Sequence, residues 1–392
     1  MMRFILSTAA SALAVFIFVS AAAAVQPTPT PVPASSPATS ASPKPKTSPH
    51  PTPAASSPFG ALAWRSIGPA ISGGRATSVA GTDDDPFLYF VGTAGGGVYR
   101  TKDGGAHWDD VWSDEPVGPI GAVTVAPHHR DVIWVGTGES NPRNDVSYGD
   151  GVYVSTDGGD SWSHRGLDHS TAISRIIVDP HDPDVALVAA LGDPFADNPE
   201  RGVYRTTDGG KTWTKTLYVG PRSGASEIAS NPSRPDVVFA GIWEYRRTGW
   251  SGDSGGAQDG LYRSTDGGKT WTRLTGHGLP TGELGKVGVA VAPSDPNRVY
   301  AIIETSHGLL WRSDDGGENW HYVSSDTLLD QRPFYYTHIY VDPTDPNHLL
   351  AVSVDLAESR DGGKTWKNDR QAIHGDHHDI WWAGDGRRII NA

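Results

Sequence analysis

The chain is 392 residues long and contains no cysteine, which excludes both a disulfide framework and a thiolate metal site. It carries 32 basic against 45 acidic residues, a formal net charge of −13. Arg3, Lys44 and Lys46 are the only charged residues before residue 59, so the remainder holds 29 basic against 45 acidic residues, and a field of about −16 excludes binding to a phosphate backbone.

In chain order, residues 1–24 have the form of a secretory signal peptide. Arg3 gives a short positive start, Phe4 to Val19 is mostly apolar, and Ala21 to Ala24 offers small-residue cleavage sites. This predicts a secreted, periplasmic or cell-surface protein, with membrane contact only if the segment stays uncleaved. Residues 25–58 are Pro, Thr, Ser and Ala with no acidic residue, a composition that cannot bury a core and reads as a disordered, polyproline-like linker.

From residue 59 to residue 392 the chain repeats itself. An eight-residue box, first seen as Thr101 to Trp108, returns at Ser155 to Trp162, Thr206 to Trp213, Ser264 to Trp271, Ser313 to Trp320 and Ser359 to Trp366. Its aspartates, Asp103, Asp157, Asp208, Asp266, Asp315 and Asp361, lie 46 to 58 residues apart, a period that fits four short strands. Within each period an apolar strand meets a proline turn such as Asp179 to Asp184, a second strand follows, and a variable loop leads to a third strand ending in the box. The predicted fold is all-β, a β-propeller of four-stranded blades. Six complete blades occupy Ala76 to Arg370, and Asp379 to Ala392 reads as the first two strands of a partial seventh. Such a chain would be a C-terminally incomplete, seven-bladed propeller, unless Phe59 to Arg75 closes the ring. The box needs no ligand: its hydroxyl and carboxylate can accept backbone N–H groups across a hairpin, its glycines supply positive φ, and its Trp begins the fourth strand.

The pattern Ser/Thr-x-Asp-x-Gly-x-x-Trp is that of the Asp-box, or bacterial neuraminidase repeat. From about Trp64 onward the chain resembles the Asp-box propellers, which include the sortilin N-terminal domain and secreted bacterial proteins labelled as glycosyl hydrolases. The resemblance implies a fold more firmly than an activity, because this repeat serves sialidases, xyloglucan hydrolases, sorting receptors and photosystem assembly factors alike. A sialidase is expected to carry an Arg-Ile-Pro motif, whereas this chain reads Ser66-Ile67-Gly68-Pro69 at that place. Arg75, Arg143 and Arg175 have no spacing that requires an arginine triad.

Alternating strand direction puts the proline turns and boxes on one face of the disc and the variable 2–3 and 4–1 loops on the other. On the variable face, strand two ends in an acid in five successive periods: Glu139, Asp193, Glu244, Glu304 and Asp355. These predict a ring near the channel mouth, from which Glu139, Glu244 and Asp355 are the candidates for a glycosidase carboxylate pair. A second cluster, His374, Asp376, His377, His378 and Asp379, has the donor types for a divalent cation but no standard zinc spacing. Trp243, Tyr245 and Trp250 around Glu244, with Arg75, Arg143, His374 and His377, are the candidate ligand contacts. The expected partner is a carbohydrate or protein bound on the variable face. A hydrolase of neutral polysaccharides is the alternative, and an assembly or sorting factor for exported proteins a further one.

Overall fold

The computed structural model describes residues 74–368 and 375–392. The leader, the linker, most of the Trp64 to Arg75 stretch and His374 lie outside the described residues. The propeller is all-β, with a single 3-10 turn at Thr327–Leu329 among those residues. No helix among them is long and apolar enough to cross a membrane.

Six four-stranded antiparallel sheets form the blades of a propeller ring. The first contains Ala76–Gly81, Tyr89–Thr93, Val98–Thr101 and Asp109–Asp110, each pairing with its neighbour in sequence. The second contains Ile120–Ala126, His129–Thr137, Val152–Ser155 and Ser163–His164. The fourth differs from the rest: its second strand, Arg234–Arg247, runs on past the sheet and pairs again with Gly252–Ser254. Among the described residues the last two strands, Ile380–Trp382 and Ile389–Asn391, pair only with each other, as a hairpin. This hairpin is wedged between the sixth blade and the first. Ile380 packs on Leu350, Val352 and Leu356, and the Trp381 ring meets Tyr89 edge-on at 5.9 Å.

The inner strands are joined by one recurring device. A β-bulge falls at the same place in blades one to four, at Thr77, Gly121, Ser174 and Ser226. Bulging turns a small side chain toward the next blade: the Thr77, Ser174 and Ser226 hydroxyls donate to the carbonyls of Ile120, Ala225 and Val287 at 2.6, 2.7 and 2.8 Å. Gly121 serves the same contact by having no side chain, since a Cβ there would collide with the Ile173 carbonyl.

The boxes fasten the outer strands. In all six, the Ser or Thr hydroxyl donates to the Asp carboxylate at 2.7–2.9 Å and accepts the N–H of the second glycine at 2.8–3.0 Å. The first glycine of each box donates to a carbonyl of its own blade's proline turn at 2.9–3.0 Å, which places boxes and turns on one face. The Ser161 and Ser155 hydroxyls hold the Asp157 carboxyl down at about 2, so it is a permanent anion and a poor proton donor. Three box tryptophans also reach the blade before their own: the indoles of Trp162, Trp213 and Trp271 donate to Val111 O, Arg165 O and Thr216 Oγ1. Trp108 departs from the expected burial and is 41% exposed. It faces the terminal hairpin beside Arg388 and Ile389, which among the described residues has two strands where the other blades have four.

Candidate functional site

The variable face opens into a cavity of about 660 Å³ lined by Arg75, Arg143, Tyr335, Asp376, His377 and Asn391. Arg75 enters it from the start of the first blade. Its guanidinium ion-pairs with the buried Glu139 carboxylate, which stands just after the second strand of the second blade, and lies 5.4 Å from the Tyr335 ring centre. Burial lowers the pKa of Arg75 from its ordinary value, but a guanidinium remains charged at any working pH. Arg143 is shared between Asp145 at 2.8 Å and Glu139 at 3.8 Å. Asn141, from the same loop, donates to Tyr335 O at 2.6 Å and so ties the second blade to the loop entering the sixth.

Below the cavity lies an aromatic floor. His378 is 2% exposed and sits between Tyr335 and Tyr336, with ring centres at 5.1 and 5.2 Å. Burial, with Arg75 nearby, pushes its pKa down to about 3, so the imidazole is neutral. The Tyr336 hydroxyl donates to Asp376, and the Lys286 ammonium donates to the Tyr336 carbonyl. Lys286 is wholly buried, and desolvation lowers its pKa to about 8.

Deeper still, Ser78, Arg175 and Glu227, each one position after a bulge, meet His338 and Tyr340 of the sixth blade and Asp379 at the start of the terminal hairpin. Arg175 donates to Glu227 and Asp379, at 2.8 and 2.9 Å. Glu227 also meets His338 Nδ1 at 2.7 Å, and Asp379 accepts from Tyr340 at 2.6 Å and from Ser78 at 2.9 Å. Burial would raise the Glu227 carboxyl, but Arg175 and His338 outweigh it and hold it at about 2. These contacts join the first, third, fourth and sixth blades to the start of the terminal hairpin in one ionic network.

With this geometry, the family can be stated. The model for Sortilin-Vps10, described as sortilin, neurotensin receptor 3, matches residues 96–222 and 259–391. The chain belongs to the Sortilin-Vps10 family. Among curated proteins it is similar to a xyloglucanase of Paenibacillus sp, 25% identical over 80% of this chain and 32% of that one. It is also similar to the oligoxyloglucan-reducing end-specific xyloglucanase of Emericella nidulans, 24% identical over 56% of this chain and 27% of that one. This Sortilin-Vps10 chain thus spans about a third of the length of the curated relatives it matches. Among solved structures, the GH74 xyloglucanase from Xanthomonas campestris aligns with a TM-score of 0.55 at 18% identity, covering 74% of this chain and 45% of that one. YCF48 from Cyanidioschyzon merolae aligns with 0.53 at 16%, covering 81% and 91%. At such identities the structures show the fold alone.

The expected ring of strand-end acids does not form. Glu139 turns to Arg75, Asp193 to the Tyr148 hydroxyl, Glu244 to Arg222, Glu304 to the Ser254 hydroxyl and Asp355 to Gln331. Each acid has its own partner: Glu244 and Glu304 stand near the ends of their strands, Arg234–Arg247 and Val299–Thr305, and Glu139, Asp193 and Asp355 in the segments that follow theirs. Glu139 lies buried behind the cavity wall, against Arg75 and Arg143, while the contacts of Glu244 and Asp355 lie with other residues. Beside Glu244 stands an acid that the sequence reading missed. Asp259 is fully buried and accepts the Glu244 N–H at 2.7 Å, and burial raises its carboxyl to about 8. No substrate can touch it, so this pair is not a hydrolytic pair.

Two candidate ligand contacts require correction. Trp243 and Tyr245 are 0% and 2% exposed and pack on Ala172, Leu191 and Phe334, so neither offers a ring to a ligand. Trp250, by contrast, is 91% exposed. The cation expected at His374, Asp376, His377 and His378 finds no support: among the described residues no group of three or more His, Asp or Glu side chains is arranged to hold a metal. There His377 meets Asn391 at 2.6 Å, and His378 is enclosed by tyrosines.

Proposed function

We propose that this chain is a carbohydrate-active propeller whose variable-face cavity takes a neutral polysaccharide of the xyloglucan type. The cavity carries the reading. Arg75, Arg143, Asp376, His377 and Asn391 surround the Tyr335 ring with donors and acceptors of both signs, which suits a polyhydroxyl ligand. An acidic domain disfavours an anionic sugar. The named activity of the curated relatives supports a glucan as the ligand and favours hydrolysis as the extension of binding. Hydrolysis at this site would engage Asp376, about half exposed at the cavity wall, with Glu139, buried against Arg75, positioning that guanidinium toward the ligand.

The test is a panel of neutral polysaccharides with two readouts, affinity and release of reducing ends. Xyloglucan is expected to bind. Turnover that falls at least about a hundredfold in Asp376→Asn, with affinity kept within a few fold, would assign the hydrolase. Binding without turnover would make the chain a glycan-binding module, and no binding to any member of the panel removes the glycan reading.

The same proposal takes residues 1–24 as an export signal, 25–58 as a spacer and 59–392 as the working domain, so that the cavity meets polymers outside the cytoplasm. N-terminal sequencing of the exported protein should begin at Ala24 or Val25. Retention of Met1 would overturn the cleavage.

A further inference from the structure

The fourth blade carries a feature that the cavity does not explain. Its second strand continues beyond the sheet to Arg247, turns at residues 248–251 and returns as Gly252–Ser254. The returning strand joins the ring through Ser254, whose hydroxyl accepts the Trp243 indole N–H at 2.9 Å and donates to Glu304 at 2.6 Å, and the projection is held at base and tip.

At the base, Arg247 donates through its backbone to Pro194 O at 2.7 Å and through its guanidinium to Asn144 Oδ1 at 2.7 Å. Arg246 ion-pairs with Asp197, and the Tyr245 ring stacks on Phe334 with their planes 6° apart. At the tip, Thr248 N–H donates to Ser251 O at 2.9 Å, while the Thr248 hydroxyl accepts the Ser251 N–H at 3.0 Å and lies 2.9 Å from the Ser251 hydroxyl. Trp250 rides on this braced turn, 91% exposed.

Leaving an indole in water forgoes the burial that a large apolar side chain normally gains, and the braced turn holds it there. Its immediate neighbours are Gly249, Ser251, Gly252 and Asp253, small or hydroxylated residues with no second large apolar side chain among them. A protein anchor is normally set in an apolar surround that excludes water. A lone flat ring flanked by hydroxyls and amides instead matches the alternating apolar faces and polar edges of pyranose rings. The base contacts place the hairpin against the 139–150 loop, which also supplies Glu139 and Arg143 to the cavity.

We infer that Trp250 is an outlying stacking platform for the same polysaccharide, engaging sugar residues beyond those held in the cavity and so selecting long chains over short ones. The inference rests on the glycan reading of the cavity. It adds that affinity should grow with chain length until the ligand reaches the hairpin.

The experiment compares polymeric xyloglucan with a series of its oligosaccharides, by calorimetry and by quenching of tryptophan fluorescence, in wild type, Trp250→Ala and Trp250→Phe. Trp250→Ala is expected to lose about tenfold in affinity for polymer, equivalent to about 1.4 kcal/mol, with the shortest oligosaccharides that bind unaffected. Trp250→Phe should recover most of the loss, and the melting temperature should not move in either variant because the side chain is 91% exposed. If wild type binds polymer and Trp250→Ala binds it equally well, the platform is overturned while the cavity reading stands. If wild type binds no glucan of any length, the glycan reading itself fails.

Discussion

Replacing Asp379 by Ala should cost on the order of 3–5 kcal/mol of stability and lower the melting temperature by roughly 10 °C. The carboxylate accepts from Ser78 Oγ and Val79 N–H in the first blade, from Arg175 in the third and from the Tyr340 hydroxyl in the sixth. Truncation leaves four buried donors, one of them charged, without their acceptor. Asp379→Asn keeps an acceptor oxygen and the volume but loses the charge opposite Arg175, so it should fall between wild type and Ala. Calorimetry on the three proteins checks the order, and a melting temperature in Asp379→Ala within about 1 °C of wild type would show that the hairpin is not clasped in this way.

Asp259 makes the opposite case, a buried carboxyl that the fold tolerates. Burial raises it to about 8, only partly offset by the Glu244 N–H that it accepts, whereas an unfolded chain releases the proton near pH 3.9. A raised carboxyl favours the folded state only while protonated. Its contribution is intact below about pH 4, is lost progressively as pH rises, and is gone above about pH 8. Asp259→Asn retains an acceptor for the Glu244 N–H and cannot ionise. It is expected to be more stable than wild type by a few kcal/mol at pH 8, since each displaced unit is worth about 1.4 kcal/mol. That gain should shrink toward zero by pH 4. Thermal melts across pH 4–9 measure it, and a difference independent of pH would remove ionisation as the cause.

The blades were legible because the box is a local device. Its bonds link residues two and four apart, as from Ser155 to Asp157 and Gly159, so the letters that make it stand together. The cavity was legible only in pieces, since its contacts span long stretches of chain, as between Asn141 and Tyr335. Arg75, Glu139, Arg143, Asp376 and His377 were all candidates, but no spacing could say that they meet. The axial network was missed because attention to loops passed over the inner strands. Aligning those strands on the small bulged residue would have shown Arg175 and Glu227 where blades one and two carry Ser78 and Ala122. The burial of Trp243 and Tyr245 also follows from strand alternation: both must share the face opposite Glu244, and Glu244 takes the Arg222 side.

The indole bonds of Trp162, Trp213 and Trp271 all point one way along the chain, each to the blade made just before its own. A ribosome delivers sequence in that same direction. Each new blade therefore finds its docking partner already complete as it emerges, and apolar edges are exposed only at the growing end. What must wait is the clasp between Asp379 and Ser78, some three hundred residues apart. The fold thus divides its assembly into early steps between neighbouring blades and later long-range steps across the ring, of which the Asp379 clasp comes last, and a chain released before residue 379 would hold its blades in order with that clasp unmade.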